Sequence, residues 1–104
     1  MNDAVARLSF KPEQIKERIH IIGCGSIGST LAVGLAHDGF RRFTLYDFDK
    51  VEEHNLKNQS FDYADIGQNK AEALMRHVLA INPFADVAAV TEGYLEQRLS
   101  GYIF

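Results

Sequence analysis

The sequence predicts an α/β fold, a short parallel sheet with helices packed against it. Three features carry that expectation. Apolar β-branched runs alternate with segments of helical periodicity, a glycine-rich turn stands at the first strand-to-helix junction, and the stretches between successive strands are too long for hairpins. A chain of 104 residues makes a single domain, residues 1–104, that buries roughly two-thirds of its unfolded surface.

The elements follow in order. "KPEQIKER" (residues 11–18) places a proline near its start and helix formers after it, which suits a short helix. "IHIIG" (19–23) is β-branched and stopped by glycine, a buried strand. Over 27–38, Ile27, Leu31, Ala32, Leu35 and Ala36 recur at helical spacing, and Gly39 stands where a left-handed C-cap glycine belongs. "RFTLYD" (42–47) reads as a second strand ending on a carboxylate, and the polar stretch beyond it as a loop with one helical turn around 52–56. A longer helix is expected from near Gly67, with Asp65 and Gln68 at capping-box spacing, to "INP" at 81–83; Ala71, Leu74, Met75, Val78 and Leu79 form its apolar stripe. "ADVAAVT" (85–91) is the third strand, and 94–99 a final short helix. Crossovers of this length require parallel pairing, so the expected architecture is a Rossmann-like half-domain with a three-stranded parallel sheet in the order 3-2-1.

Composition narrows the class of function. With 46% hydrophobic and 24% charged residues the chain is that of a folded protein. A net charge of -3 supplies no basic footprint for nucleic acid or anionic lipid, so neither is an expected partner. There is no apolar run of signal-peptide or membrane-spanning length, and a cytoplasmic location is expected. The single cysteine, Cys24, forms no internal disulfide and has no second thiol for a metal site, so no resident metal site is expected.

Gly23, Gly25 and Gly28 form G-x-G-x-x-G between the first strand and the first helix. The first permits a tight turn, the second lets a phosphate approach the backbone, and the third lets helix and strand pack closely. Main-chain amides from Ser26 to Ser29 then face the phosphate with the positive end of the helix dipole behind them. Cys24 has no basic sequence neighbour to activate it and reads as inert. Asp47, about 20 residues past the turn, stands where a carboxylate accepts hydrogen bonds from ribose hydroxyls, which by itself points to NAD. His20 reads as a core or edge residue, and His37, His54 and His77 as surface residues.

The residues beyond Asp47 change the nucleotide. Phe48, Asp49, Val51, Asn55, Leu56 and Gln59 follow in "DFDKVEEHNLKNQ", then "DIGQNKAEA" and a helix ending in "INP". This pattern resembles the ThiF, MoeB and HesA family of ubiquitin-activating-enzyme-like adenylyltransferases, whose signature is a GxGxxG turn, D-F-D-x-V-x-x-x-N-L-x-R-Q, D-[IV]-G-x-x-K-A and a helix ending in N-P. The resemblance implies ATP, with magnesium, used to adenylate a carboxylate, typically the C-terminal glycine of a ubiquitin-like sulfur-carrier protein, with release of pyrophosphate. It also implies that Asp47 holds the ribose, that Asn55 and Lys70 contact the triphosphate, and that Asp49 is the second acid of the loop. A lysine in the first turn of the helix, after an Asp65 cap, adds a mobile positive charge where the leaving pyrophosphate must be stabilised.

Two departures from the pattern stand out. Asn58 occupies the place of the family's arginine, with Lys57 one residue earlier, so that positive charge is either lost or supplied by another side chain. Family members also continue into further strands, so the chain resembles the N-terminal half of such an enzyme, binding nucleotide weakly without turnover. In the order 3-2-1 the strand over 19–23 is an open apolar edge, which favours a homo-oligomer. An NAD-dependent oxidoreductase domain and a non-catalytic nucleotide sensor are the rival readings.

Overall fold

A computed structural model describes residues 16–92 and 101–104; the helix expected over 94–99 and most of the one over 11–18 fall outside them, and residues 16–18 are not helical. The sheet comprises β1 (Ile19–Ile22), β2 (Arg42–Tyr46), β3 (Asp86–Val90) and β4 (Tyr102–Ile103), all parallel, in the order β3-β2-β1-β4. The helices are α1 (Ser26–His37) and α2 (Lys70–Ile81). The register sets Ile19 opposite Phe43 and Phe43 opposite Val87.

One hydrophobic core joins these layers. Alternation along the strands sends Ile19 and Ile21 of β1, and Phe43 and Leu45 of β2, into contact with Ala32 and Ala36 of α1 and with Ala71, Leu74 and Val78 of α2. Small residues on α1 let it lie close to β1, while Leu74 and Val78 are fully buried and Met75 packs beside them, as their spacing predicts. Helix α1 ends as expected: the Asp38 and Gly39 amides donate to Gly34 and Ala36 carbonyls, and Gly39 takes φ 99°. No helix among the described residues is long and apolar enough to cross a membrane.

Two expectations need correction. Among the described residues the sheet has four strands, not three, because "YIF" after Gly101 pairs alongside β1: Tyr102 N donates to Arg18 O (3.1 Å), Phe104 N to His20 O (2.8 Å), and Ile22 N to Phe104 O (2.8 Å). Gly101, at φ +107°, permits that approach; an added Cβ would stand 2.2 Å from the Arg18 carbonyl oxygen. Strand β1 is therefore central, and among the described residues β4 is the outer strand on that side. The second correction concerns α2, which begins at Lys70 rather than near Gly67 and is capped by Asn69, whose side chain accepts from Glu72 N at 3.0 Å. Asp65 instead closes a separate 3-10 turn, Tyr63–Asp65, and accepts from Asp62 N at 2.8 Å. Gly67, at φ +88°, then redirects the chain toward Asn69.

Candidate functional site

The site forms where β1 and β2 end. At the glycine turn Gly23 takes φ 92°, and its amide donates to Tyr46 O at 2.8 Å, seating the turn on β2. A Cβ on Gly28 would lie 1.9 Å from the Gly23 carbonyl oxygen, so only glycine allows α1 to start this close to β1. Gly25 caps α1 without any side-chain hydrogen bond, and the first turn contains no acidic residue. Its leading amides are thus left for an anion. Gly23, Gly25, Ser26 and Gly28 line one open cleft of about 360 Å³ together with Ile22 and Phe104.

Asp47 links this turn to the loop that follows β2. Its Oδ2 accepts from Cys24 N at 2.8 Å and its Oδ1 from Asp49 N at 2.9 Å, which orients the carboxylate while leaving each oxygen a further lone pair. Asn69 does double duty: besides capping α2 it donates from Nδ2 to the Asp47 carbonyl at 2.7 Å, clamping β2 to α2. Nothing in the sequence motif singles out Asn69; its place immediately before the helical lysine is the available signal. Cys24 is fully buried, and burial first, then the charge of Asp47, pushes its thiol up to about 12, so it is inert at neutral pH.

Beyond Asp47 lies a second, mostly polar cavity of about 290 Å³, lined by Asp49, Lys50, Glu52, His54, Asn55 and Lys70. It forms because residues 49–51 run antiparallel against 67–70: Lys70 N donates to Asp49 O (2.9 Å), Val51 N to Gln68 O (2.8 Å) and Gly67 N to Val51 O (2.9 Å). Buried Val51 anchors the segment from below. The expected helical turn is a 3-10 turn over Glu53–Lys57, in which Asn55 accepts from Glu52 N at 2.8 Å through Oδ1. Asp49, Asn55 and Lys70 are thus brought together, with Asp47 between them and the glycine turn. Lys57 and Asn58 do not line this cavity.

Gln59 adds a feature that the motif implies only by position. Its Oε1 is buried with no hydrogen-bond partner, and its Nε2 lies 4.0 Å from where a Cβ on Gly25 would stand. The amide nitrogen, a donor, is thus the end of Gln59 that stands beside the glycine turn. The amide of neighbouring Ser60 donates to the buried Ser29 Oγ at 3.0 Å, tying this loop to α1. His77 is partly exposed, in keeping with a surface residue, yet its Nε2 lies 2.7 Å from Oδ2 of buried Asp65 and so joins α2 to the second 3-10 turn.

Comparison with known proteins places the chain in a family. The description of the ThiF family matches residues 12–102. The chain belongs to the ThiF family. A ubiquitin-like modifier-activating enzyme 5 from Drosophila willistoni is 36% identical over 83 residues, which is 79% of this chain and 20% of that protein. A probable adenylyltransferase/sulfurtransferase MoeZ from Mycobacterium tuberculosis is 37% identical over 71 residues, 67% of this chain and 18% of that protein. Among solved structures, E. coli MccB with ATP superposes with a TM-score of 0.72 at 33% identity, over 78% of this chain and 24% of that one. E. coli tRNA N6-threonylcarbamoyladenosine dehydratase, TcdA, in complex with AMP, superposes with a TM-score of 0.76 at 32% identity, over 86% and 39%. This ThiF-family chain spans about a fifth of the length of the curated relatives it matches.

Proposed function

We propose that this chain is the ATP-binding part of an adenylyltransferase, in which a carboxylate, typically the C-terminal glycine of a ubiquitin-like or sulfur-carrier protein, is activated. The observation that carries the reading is the polar cavity beyond Asp47, where Asn55 and Lys70 face the same space. A plain dinucleotide site needs the glycine turn and one ribose acid; a lysine and a buried amide past that acid suit a polyphosphate. Asp47, oriented by the Cys24 and Asp49 amides, is the residue for the ribose hydroxyls. The α1 amides at Ser26–Gly28 are the donors for the α-phosphate. Asp49 and Glu52 present hard oxygen donors to the polar cavity, the donor type that magnesium takes alongside phosphates.

In the reaction so proposed, a substrate carboxylate oxygen attacks the α-phosphorus, a new O–P bond forms, and the bridging P–O bond to the β-phosphate breaks. Pyrophosphate leaves carrying the electron pair, and Lys70 and Asn55 stabilise its charge. MccB, solved with ATP, and TcdA, solved with AMP, support a nucleotide in this fold. Titration of the chain with ATP plus magnesium and with NAD tests the reading. Preferential ATP binding, with carrier-dependent pyrophosphate exchange in a longer polypeptide containing this segment, is expected. Preference for NAD refutes it, and ATP binding without exchange in that longer polypeptide favours a sensor.

A further inference from the structure

We infer that Lys50 supplies the second cation for the terminal phosphates of the nucleotide, in place of the arginine whose position Asn58 occupies. The inference rests on the ATP reading above. The sequence offers Lys57 as the nearest substitute, but Lys57 lies at the end of the 3-10 turn and lines no part of the polar cavity, nor does Asn58. Lys50 and Lys70 both line it.

Their placement follows from the backbone. Lys50 forms an antiparallel bridge with Asn69, flanked by the Lys70 N to Asp49 O and Val51 N to Gln68 O bonds, so it stands beside the first residue of α2. Val51, buried on the next position, holds the segment in that register. Among the described residues neither lysine forms an ion pair, although Asp49 and Glu52 share the cavity with them. With Asp49 and Glu52 suited to a magnesium ion, two ammonium groups that make no ion pair are left for the outer phosphates of an incoming anion. Lys50 is exposed and flexible where arginine is a planar fork, so it contributes charge more than orientation. The ligand class is a nucleoside triphosphate, or pyrophosphate, held through its outer phosphates.

Calorimetric titration of the 104-residue chain with ATP plus magnesium, and separately with AMP, tests this in wild type and in Lys50→Gln, Lys50→Arg and Lys57→Gln. Loss of one charged contact is expected to weaken ATP binding about tenfold in Lys50→Gln. AMP, which lacks the outer phosphates, is expected to bind as in wild type; Lys50→Arg retains ATP affinity and Lys57→Gln changes neither ligand. Wild-type ATP affinity in Lys50→Gln overturns the inference and leaves the ATP reading standing. Equal losses for ATP and AMP, or a loss in Lys57→Gln in place of Lys50→Gln, also overturn it. A wild-type chain that binds neither nucleotide overturns both the inference and the reading beneath it.

Discussion

Adding one methyl group to α1 is expected to have opposite effects at two glycines of the same helix. At Gly28 a Cβ would stand 1.9 Å from the Gly23 carbonyl oxygen and 3.2 Å from Ile21 Cγ2. The oxygen belongs to the main chain of the turn and cannot rotate away, so α1 must retreat from β1 by about 1 Å, which loosens Ser29, Ala32 and Ala36 against the core. Overpacking costs about 1–3 kcal/mol, and a clash with backbone sits at the upper end. For a domain of this size about 3 kcal/mol corresponds to a fall in melting temperature of about 12–24 °C. At Gly34 a Cβ meets nothing within 4 Å. There Gly34→Ala gains about 0.5–1 kcal/mol of helix propensity, a rise of about 2–8 °C. Thermal unfolding followed by far-UV circular dichroism reads both, with ATP titration of Gly28→Ala alongside, since the displaced turn also misplaces its amides. A Gly28→Ala chain melting within about 2 °C of wild type, or two changes of the same sign, would refute the close-approach argument.

Other positions test the links that hold the site. Asn69→Ala removes the α2 cap and the clamp on Asp47, so a loss of about 1–2 kcal/mol in urea unfolding is expected, together with weaker ATP binding; unchanged affinity would show that the clamp does not orient Asp47. His77→Ala strips buried Asp65 of its imidazole partner and is expected to cost about 1–3 kcal/mol without altering nucleotide affinity, as measured by denaturant midpoint and titration. Leu74→Ala, at a fully buried position, is expected to cost about 2–5 kcal/mol, with a smaller loss counting against the core assignment. Cys24, with its thiol pushed up from 9.0 to about 12, is expected to resist thiol reagents at pH 8 until the chain unfolds. Because the folded state holds that proton more tightly than the unfolded state, the stability linked to Cys24 is fully present below pH 9.0 and is lost as pH rises toward about 12. A cysteine-free Cys24→Ala variant with the same alkaline loss would assign it to other groups.

Periodicity and turn chemistry made most of the fold legible. The strands over 19–23, 42–47 and 85–91 appear within a residue or two of their expected ends, because β-branched runs stopped by glycine or a carboxylate are local signals. β4 was hidden for the opposite reason: two residues have no period, and what makes them a strand is the row of β1 and Arg18 backbone groups they meet. The start of α2 was misplaced because Asp65 and Gln68 have capping-box spacing, yet Gly67 lies between them at positive φ and breaks the helical path. His77 lies on the helix face toward Asp65, and no count of scattered histidines identifies that partner.

What the sequence by itself determined is the strand–turn–helix unit, the glycine that must be glycine, the acid at the end of the second strand and the family of motifs around them. These depend on residues near one another in the chain, where sterics and hydrogen-bond chemistry act locally. Only the tertiary structure decided which polar residues share a space: it set Asp49, Lys50, Asn55 and Lys70 around one cavity, left Lys57 and Asn58 outside it, and placed Asn69 between Asp47 and α2. Those groupings depend on how two segments some twenty residues apart pair along their backbones, and that register is set by packing across the fold.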